Sequence, residues 1–183
     1  MSKKRILFLG ETYRADAITW MNGLREFGDF EIVTWELKTS SSGINRLKRL
    51  LELTKAILSI KSIVKKFQPD MVIAERTTSY GFLAAISGVK PIAIAQQGIT
   101  DLWPHSSLLY IFKKMLQDYA FKKADLIHAW GNVMANHMKE SNVDMTKVMI
   151  LPKGINLEYF KFKLIENDTI LNAIVTRSLE PEY

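Results

Sequence analysis

The chain has 183 residues, no cysteine and a formal net charge of +6. This length suits one domain with an appendage, and a hydrophobic share of 48% supports a core and excludes intrinsic disorder. The lack of cysteine excludes a disulfide framework and a thiolate metal site, while a sequence pI of about 9.4 predicts an anionic partner: a phosphate ligand, a lipid headgroup or nucleic acid.

Residues 1–37 predict a strand–helix–strand unit. The basic start is followed by an apolar run that is too short for a signal peptide. Residues 5–9 predict a strand buried on both faces, which ends at Gly10. Residues 15–27 have apolar side chains at helical spacing, Gly28 ends this helix, and residues 31–37 predict the second strand. Such units take a right-handed crossover and form parallel sheets.

A Ser-rich loop at residues 39–43 precedes the most basic stretch of the chain. Residues 44–67 have helical periodicity, and the residues predicted to face the core are Leu47, Leu50, Leu51, Ile57, Leu58 and residues 60–63. The opposite side of this helix has one acid, Glu52, and the basic residues Arg46, Lys48, Arg49, Lys55, Lys61, Lys65 and Lys66. This side is either a solvated helix face or a patch that binds an anionic membrane surface.

The rest of the chain continues the alternation of strands and helices. Strands are predicted at residues 71–74, 91–95, 125–130, 148–151 and 169–176, and helices at residues 79–87, 106–123 and 132–140. The predicted core face of the helix at 106–123 comprises Leu109, Phe112, Met115, Leu116 and Tyr119. The predicted fold class is therefore α/β, a doubly wound and mainly parallel sheet flanked by helices. No apolar run reaches the roughly 18–20 residues of a membrane span, so we expect a soluble, cytoplasmic protein.

Ligands of open α/β sheets bind outside the carboxyl ends of the strands, near the switch point. This rule selects the loops at residues 10–14, 75–79 and 97–101. No Gly-x-Gly-x-x-Gly follows the first strand, so an independent dinucleotide site is not expected. Gly10 is either a tight strand exit or a close approach to phosphate, and Asp101 is either a turn residue or a ligand contact. Glu75 and Arg76 form either a local ion pair or a ligand contact.

The histidines and tryptophans give weaker signals. His105, His128 and His137 lack the spacing of metal ligands, so we interpret His128 as a strand residue and the other two as surface residues. Core or rim positions are predicted for Trp20, Trp35 and Trp130.

Three segments resemble one enzyme family. They are Pro152-Lys-Gly-Ile-Asn-x-x-x-Phe160, Lys123-Ala-Asp125 with residues 127–137, and Thr176-Arg-Ser-Leu-Glu-Pro-Glu-Tyr183. The family is the family 4 (group 1) glycosyltransferases. The first segment is similar to the family's Pro-Asn-Gly-Val-Asp-x-x-x-Phe segment between the two domains, and the second to its Ala-Asp-x-Ile-x-Ala-x-Ser/Gly strand and helix. The third segment is similar to the first strand-loop of the family's C-terminal domain. Lys153 and Asn156 depart from the commonest letters but keep both positions polar.

The resemblance implies the N-terminal half of a two-domain GT-B architecture with the Rossmann strand order. Residues 1–163 would form the acceptor-binding domain, and residues 164–183 a truncated stub of the nucleotide-sugar-binding domain. Retaining enzymes of this family move a sugar from a nucleotide-diphosphate sugar to a glycan or lipid-linked acceptor, with no cofactor and usually no metal. Their essential carboxylate motif would lie beyond residue 183, so the chain alone is expected to be inactive.

Individual residues are carried over by position. Gln97 stands where many members have a histidine that faces the reacting sugar, and Gly98-x-Thr100-Asp101 resembles another variant of the same loop. Gln97 and Asp101 are therefore the catalytic candidates, Gln97 through an amide hydrogen bond to a sugar hydroxyl. The implied acceptor-binding residues are Gln97, Gly98, Thr100, Asp101, Trp103, Glu75 and Arg76. The implied donor diphosphate-binding residues are Gly10, Glu11, Thr12 and Arg177.

Several partners and rival functions follow. The family implies a sugar or lipid-linked acceptor, and a nucleotide-sugar only with the missing domain. Some enzymes of this fold dock on membranes through basic N-terminal domains, and the lysines of the helix at 106–123 would extend the basic patch. The predicted strand at 169–176 could pair two chains into a dimer. The rivals are a non-catalytic α/β module that binds a partner, membrane or nucleic acid, and a GT-B-fold sugar epimerase; no nucleic-acid recognition motif is present.

Overall fold

A computed structural model of the chain describes residues 3–38, 45–96 and 109–152, together with Glu158. Six strands form one parallel sheet: β1 (Lys4–Leu9), β2 (Phe30–Trp35), β3 (Met71–Glu75), β4 (Ile92–Gln96), β5 (Leu126–Ala129) and β6 (Val148–Ile150). The α-helices are α1 (Ala15–Phe27), α2 (Asn45–Phe67), α3 (Phe82–Ile86), α4 (Tyr110–Lys123) and α5 (Asn132–Glu140). A π-helical turn, Arg76–Gly81, precedes α3, and a 3₁₀ turn, Met145–Lys147, precedes β6. The predicted fold class is confirmed.

The strand order is β2-β1-β3-β4-β5-β6, and every neighbouring pair is parallel. Leu7 of β1 lies between Val33 of β2 and Val72 of β3, so β1 is paired on both edges and β2 is the edge strand. The Rossmann order 3-2-1-4-5-6, which the resemblance implied, is wrong for the described residues, where only β2 lies beyond β1. The difference arises because the chain crosses directly from β2 through α2 to β3, on the other side of β1.

Alternate residues of the strands build two core layers of different size. The larger layer contains Leu7, Val72 and Ile94 and is covered by α2, α3, α4 and α5. The smaller layer contains Phe8 and Ile73 and is covered by α1 alone. Beside α1 this face holds an apolar cavity of about 390 Å³, lined mainly by residues near the amino ends of the strands. The cavity therefore lies away from the strand ends where ligands of such sheets bind.

The predicted buried faces of α2 and α4 are wrong in part. Leu51 and Leu58 of α2 are exposed, whereas Ile60 is buried as predicted and Ala56, which was not among the predicted residues, is buried as well. Both surfaces of α2 carry apolar residues, so periodicity alone could not decide which surface faces the sheet. On α4 the predicted core residues Leu109, Phe112, Met115 and Tyr119 are exposed, and the buried residues are Gln117, Ala120 and Phe121. No helix among the described residues is long and apolar enough to cross a membrane.

The chain divides into two compact units, Met1–Pro152 and Lys153–Tyr183. The predicted domain boundary at 163/164 falls in the second unit and stays a prediction. The predicted strand at 169–176, and with it the predicted dimer contact, lies outside the described residues. The start of the helix predicted at 106–123 also lies outside the described residues, and α4 begins at Tyr110.

Asp125 joins the amino ends of β4 and β5. Its carboxylate accepts hydrogen bonds from the Ile92 N–H at 2.8 Å and the Lys90 ammonium at 2.8 Å. Partial burial acts to raise the pKa of Asp125, but the Lys90 ammonium and the Ile92 N–H outweigh it and hold that pKa below its ordinary value.

We expect Asp125→Asn to reduce stability by its full amount above the unfolded pKa of aspartate, about 4. A lowered folded pKa means that ionised Asp125 stabilises the fold above that pH, and that this contribution is lost as the pH falls through the folded pKa. Urea unfolding of both proteins from pH 7 down to pH 3 measures the difference. A gap that persists unchanged in acid would contradict the assignment to the Asp125 charge.

Candidate functional site

The candidate site lies at the carboxyl ends of β1 and β3, where the strand order reverses. The chain leaves β1 toward α1 on one face and leaves β3 toward α3 on the other, because α1 and α3 pack on opposite core layers. The two exits therefore diverge and leave a crevice, the position at which open α/β sheets bind ligands. Glu11 lies two residues after the end of β1, and Arg76 directly follows β3.

Glu11 joins both exits through two arginines. Its carboxylate accepts two hydrogen bonds from Arg76, at 3.0 and 3.3 Å, and one from Arg14 at 3.1 Å. The carboxylate is nearly buried, whereas the Arg76 and Arg14 side chains are 22% and 41% exposed. No other hydrogen bond or ion pair of Arg76 or Arg14 side chains occurs with the residues that the structure describes. Both guanidinium groups are thus held at the crevice with N–H donors to spare.

The predicted local ion pair between Glu75 and Arg76 is wrong. Arg76 pairs with Glu11, and its backbone adopts the left-handed conformation with φ of +64°. That conformation is rare for a residue with a side chain and redirects Arg76 out of the path of β3. Glu75 is buried, and its carboxylate lies against Gly10. A left-handed arginine at a strand exit is backbone strain of the kind that occurs at functional sites.

The loop after β1 is fixed from the neighbouring strand β2. The Gly10 N–H donates to the Trp35 carbonyl at 3.2 Å. The Thr12 N–H and hydroxyl both donate to the Glu36 carboxylate, at 3.0 and 3.1 Å. These N–H groups therefore stabilise the loop itself, and the charged donors at the crevice are Arg14 of this loop and Arg76 of the β3 exit.

Glycine is required at position 10 because Glu75 lies too close for a side chain there. A Cβ atom on Gly10 would lie 2.7 Å from a Glu75 carboxylate oxygen and 2.9 Å from the Phe8 ring. Because Phe8 and Glu75 are both buried, neither has free space into which to move. The tight packing of Gly10 is a structural reason for glycine at this position.

We expect Gly10→Ala to lower the free energy of unfolding by about 1–2 kcal/mol through overpacking. Gly23 is the matched control, since a Cβ there meets nothing within 4 Å and the residue lies inside α1. Gly23→Ala should instead stabilise the protein by about 0.5–1 kcal/mol. Chemical denaturation measures both, and equal signs for the two substitutions would refute the proposed clash.

A family model described as Glycosyl transferase 4-like matches residues 5–130, which includes β1 to β5 and both sides of the crevice. The chain belongs to this glycosyltransferase 4-like family. Comparison with curated protein sequences gives no significant match.

Solved structures share the fold of this glycosyltransferase 4-like chain. Sucrose-phosphate synthase from Thermosynechococcus elongatus superposes with a TM-score of 0.63 at 12% identity, over 85% of this chain and 49% of that one. UDP-GlcNAc 2-epimerase from Neisseria meningitidis, bound to UDP-GlcNAc, gives 0.57 at 13% identity, over 81% and 46%. The S. aureus MnaA–UDP structure gives 0.57 at 17% identity, over 80% and 43%. The chain thus spans less than half the length of these neighbours.

Part of the predicted site lies outside the described residues. The structure brings Gly10, Glu11, Thr12, Glu75 and Arg76 together at the crevice. It does not describe the loop after β4 or the chain end, which contain Gln97, Gly98, Thr100, Asp101, Trp103 and Arg177. The acceptor-binding and donor-binding roles assigned to all these residues stay predictions.

Sequence reasoning missed the buried polar contacts behind the crevice. The Thr77 hydroxyl donates to the Gln117 side-chain oxygen at 3.1 Å, and both residues are fully buried. His137, predicted at the surface, is half-buried with its Nε2 3.4 Å from the Gln117 amide nitrogen. His128 lies in β5 as predicted, and its Nε2 donates to the Leu151 carbonyl at 2.7 Å. No signal in the sequence indicated Gln117, because Asp118 and several lysines also interrupt the apolar residues of this helix.

The arrangement suits recognition of anionic or hydroxyl-bearing groups. Two guanidinium groups offer planar, forked donors that match phosphate and carboxylate oxygens. Among residues 3–38, 45–96 and 109–152, no group of three or more His, Asp or Glu side chains is placed to hold a metal ion.

Proposed function

We propose that this chain is the acceptor-binding N-terminal half of a retaining glycosyltransferase. The complete protein would move a sugar from a nucleotide-diphosphate sugar to a glycan or lipid-linked acceptor. The observation that carries this proposal is the Glu11-held pair, Arg14 and Arg76, at the switch point of a glycosyltransferase 4-like fold.

The neighbouring strand supports this assignment. Glu75 of β3 pairs in register with Ala95 of β4, so the chain leaves β4 beside the exit that carries Arg76. Gln97 and Asp101 follow β4 in the sequence. In the proposal, Gln97 hydrogen-bonds a hydroxyl of the sugar, and Asp101 binds acceptor hydroxyls or stabilises developing positive charge.

The donor would be held mostly by the part of the protein that corresponds to the other half of the solved neighbours. Arg177 and the loop at Gly10–Thr12 would face its diphosphate. Because the chain spans less than half of these neighbours, we propose that it has no transferase activity alone.

A transfer assay tests this proposal. The chain and a protein extended through the complete coding sequence are each incubated with labelled nucleotide sugars and a membrane extract as acceptor source. We expect the extended protein alone to incorporate label, and the anomeric configuration of the product to match the donor. Transfer by the isolated chain, or none by the extended protein with any donor, would overturn the proposal.

An epimerase is the second candidate, because several solved structures with this fold are UDP-N-acetylglucosamine 2-epimerases. The two activities differ in their products. An epimerase would convert UDP-GlcNAc to its C2 epimer without any acceptor, whereas a transferase would release UDP only when an acceptor is present. NMR of UDP-GlcNAc incubated with the extended protein, with and without acceptor, separates them.

A further inference from the structure

The crevice between the β1 and β3 exits presents its cations to solvent and covers its acids. The Glu11 side chain is 10% exposed, whereas the side chains of Arg14 and Arg76 are 41% and 22% exposed. Glu75 is buried and lies against Gly10. A group that enters the crevice therefore meets guanidinium N–H groups, because the carboxylates of Glu11 and Glu75 are largely covered.

Glu11 occupies only part of the donor capacity of its two partners. A guanidinium group has five N–H donors. Arg76 uses two of them on the Glu11 oxygens, at 3.0 and 3.3 Å, and Arg14 uses one at 3.1 Å. Neither side chain makes another hydrogen bond within the described part of the chain, so most of their donors stay available to a ligand.

Charge selects an anion over a neutral sugar as the ligand of this pair. Both guanidinium groups are permanently charged, and they share the Glu11 carboxylate. A second anion in the crevice offsets the repulsion between the two cations, whereas a hydroxyl group does not. A phosphate suits two arginines better than a carboxylate does, since it has more oxygens than one guanidinium fork can engage.

Tyr13 provides an aromatic ring beside the arginines. The Arg14 N–H donates to the Glu11 carbonyl at 3.0 Å, which closes a four-residue turn with Thr12 and Tyr13 at its tip. Thr12 is bound to Glu36, but Tyr13 is 72% exposed and makes no hydrogen bond or ring contact with the residues that the structure describes. An exposed ring next to an anion-binding group can pack on the apolar face of a sugar.

We infer that the acceptor is a phosphorylated sugar. Arg14 and Arg76 bind its phosphate, and Tyr13 packs on the adjoining sugar ring. The inference rests on the proposed function, since it assigns the crevice to the acceptor and leaves the nucleotide sugar to the remainder of the protein. It makes these three residues the determinants of acceptor choice.

Isothermal titration of the chain tests the inference. The probes are a panel of hexose phosphates, the corresponding free hexoses, inorganic phosphate and glucuronate. We expect at least one hexose phosphate to bind at least about tenfold more tightly than every other probe, because it alone engages both the arginines and the ring. Higher salt should weaken this binding, since the arginines are partly exposed.

Substitutions in the crevice separate the phosphate from the sugar ring. Arg14→Ala and Arg76→Ala should each weaken hexose phosphate binding by about tenfold, through the loss of charge-assisted hydrogen bonds. Arg76→Lys keeps the charge but loses the fork, and should recover only part of the affinity. Tyr13→Ala should weaken hexose phosphate binding by about fivefold and leave inorganic phosphate binding unchanged.

Two residues of the last turn of α1 provide matched controls. Arg25 is an exposed arginine, and Phe27 is an aromatic residue that is 86% exposed. Arg25→Ala and Phe27→Ala should leave binding within about twofold, since both residues lie at the opposite end of α1 from Arg14. Circular dichroism confirms that every variant is folded.

Two further probes distinguish the acceptor from the donor and identify the source of the phosphate. UDP is compared with inorganic pyrophosphate, and we expect the nucleoside to add no affinity. An octyl phosphodiester of glucose is compared with the hexose phosphates. Tighter binding of the diester indicates a lipid-linked acceptor and tighter binding of a hexose phosphate indicates a soluble one; either result supports the inference when it depends on both arginines.

Three results would overturn the inference. Hexose phosphates that bind no more tightly than inorganic phosphate would indicate an adventitious ion only. Free hexoses or glucuronate that bind as tightly would remove the preference for phosphate. A large gain from the nucleoside of UDP would assign the arginines to the donor. The titration needs no transfer: an extended protein that fails in the transfer assay leaves phosphate binding intact, and transfer to neutral acceptors alone overturns only this inference.

Discussion

Replacing Tyr80 by alanine is expected to lower the free energy of unfolding by about 3–5 kcal/mol, as for large aromatic residues in packed cores. Tyr80 is fully buried in the larger core layer and packs edge-on against Trp35, with ring centroids 6.5 Å apart. Its hydroxyl oxygen accepts a hydrogen bond from the Leu37 N–H at 3.1 Å. Tyr80 thereby ties the turn that carries Arg76 to the end of β2.

Two substitutions separate the ring from the hydroxyl. Tyr80→Phe keeps the ring and removes the acceptor of the Leu37 N–H, so a loss of about 1–2 kcal/mol is expected. Tyr13 is the exposure control, since it is 72% exposed and Tyr13→Ala should change stability by less than about 0.5 kcal/mol. Guanidinium unfolding measures all three. A Tyr80→Ala protein as stable as Tyr13→Ala would contradict the packing described for β2 and β3.

Replacing Glu11 by alanine is expected to lower the free energy of unfolding by about 2–3 kcal/mol. The substitution leaves Arg14 and Arg76 without their shared carboxylate and close enough to repel each other. Their partial exposure lets water compensate in part, which keeps the effect below that of a fully buried pair. In the complete protein the same substitution should weaken binding of the ligand that the arginines contact.

The control for Glu11 is Glu26, an exposed carboxylate on α1. Glu26→Ala should change stability by less than about 0.5 kcal/mol. A double-mutant cycle of Glu11→Ala with Arg76→Ala isolates the pair, and we expect a coupling of at least about 1 kcal/mol. Additive effects would show that Glu11 does not hold Arg76 in solution.

The sequence was sufficient to predict the fold class and most of the elements that the structure describes. Buried runs such as the one ending at Gly10 read as parallel strands because they lack the alternation of a half-exposed strand. The loops after the first and third strands were selected as ligand positions because the carboxyl ends of parallel strands share one edge, and the structure places both loops at one crevice. These inferences use only local pattern and a topological rule.

The wrong predictions concern choices that local pattern leaves open. On α2 and α4, apolar residues cover more than one stripe, so packing decides which stripe is buried. Gln117 is buried because Thr77 provides a hydrogen-bond partner from another element. The strand order depends on which side of β1 the chain returns to after α2, and no residue in that stretch encodes it.

The centre of the site was beyond sequence reasoning for a similar reason. Glu11 and Arg76 are 65 positions apart, and an adjacent acid, Glu75, offered Arg76 a nearer partner. The left-handed backbone at Arg76 turns its side chain toward Glu11. Nothing in the residue types around Arg76 signals that conformation, since glycine or asparagine is its usual occupant.

Determining the coding sequence that follows the Tyr183 codon tests the central claim most directly. If the chain is the acceptor half of a glycosyltransferase, about 150–200 further residues should follow. They should repeat the alternation of strands and helices and contain a Glu-x₇-Glu-like pair of carboxylates. A stop codon at that position, with no partner gene that supplies the second half, would contradict the transferase account and leave a binding module.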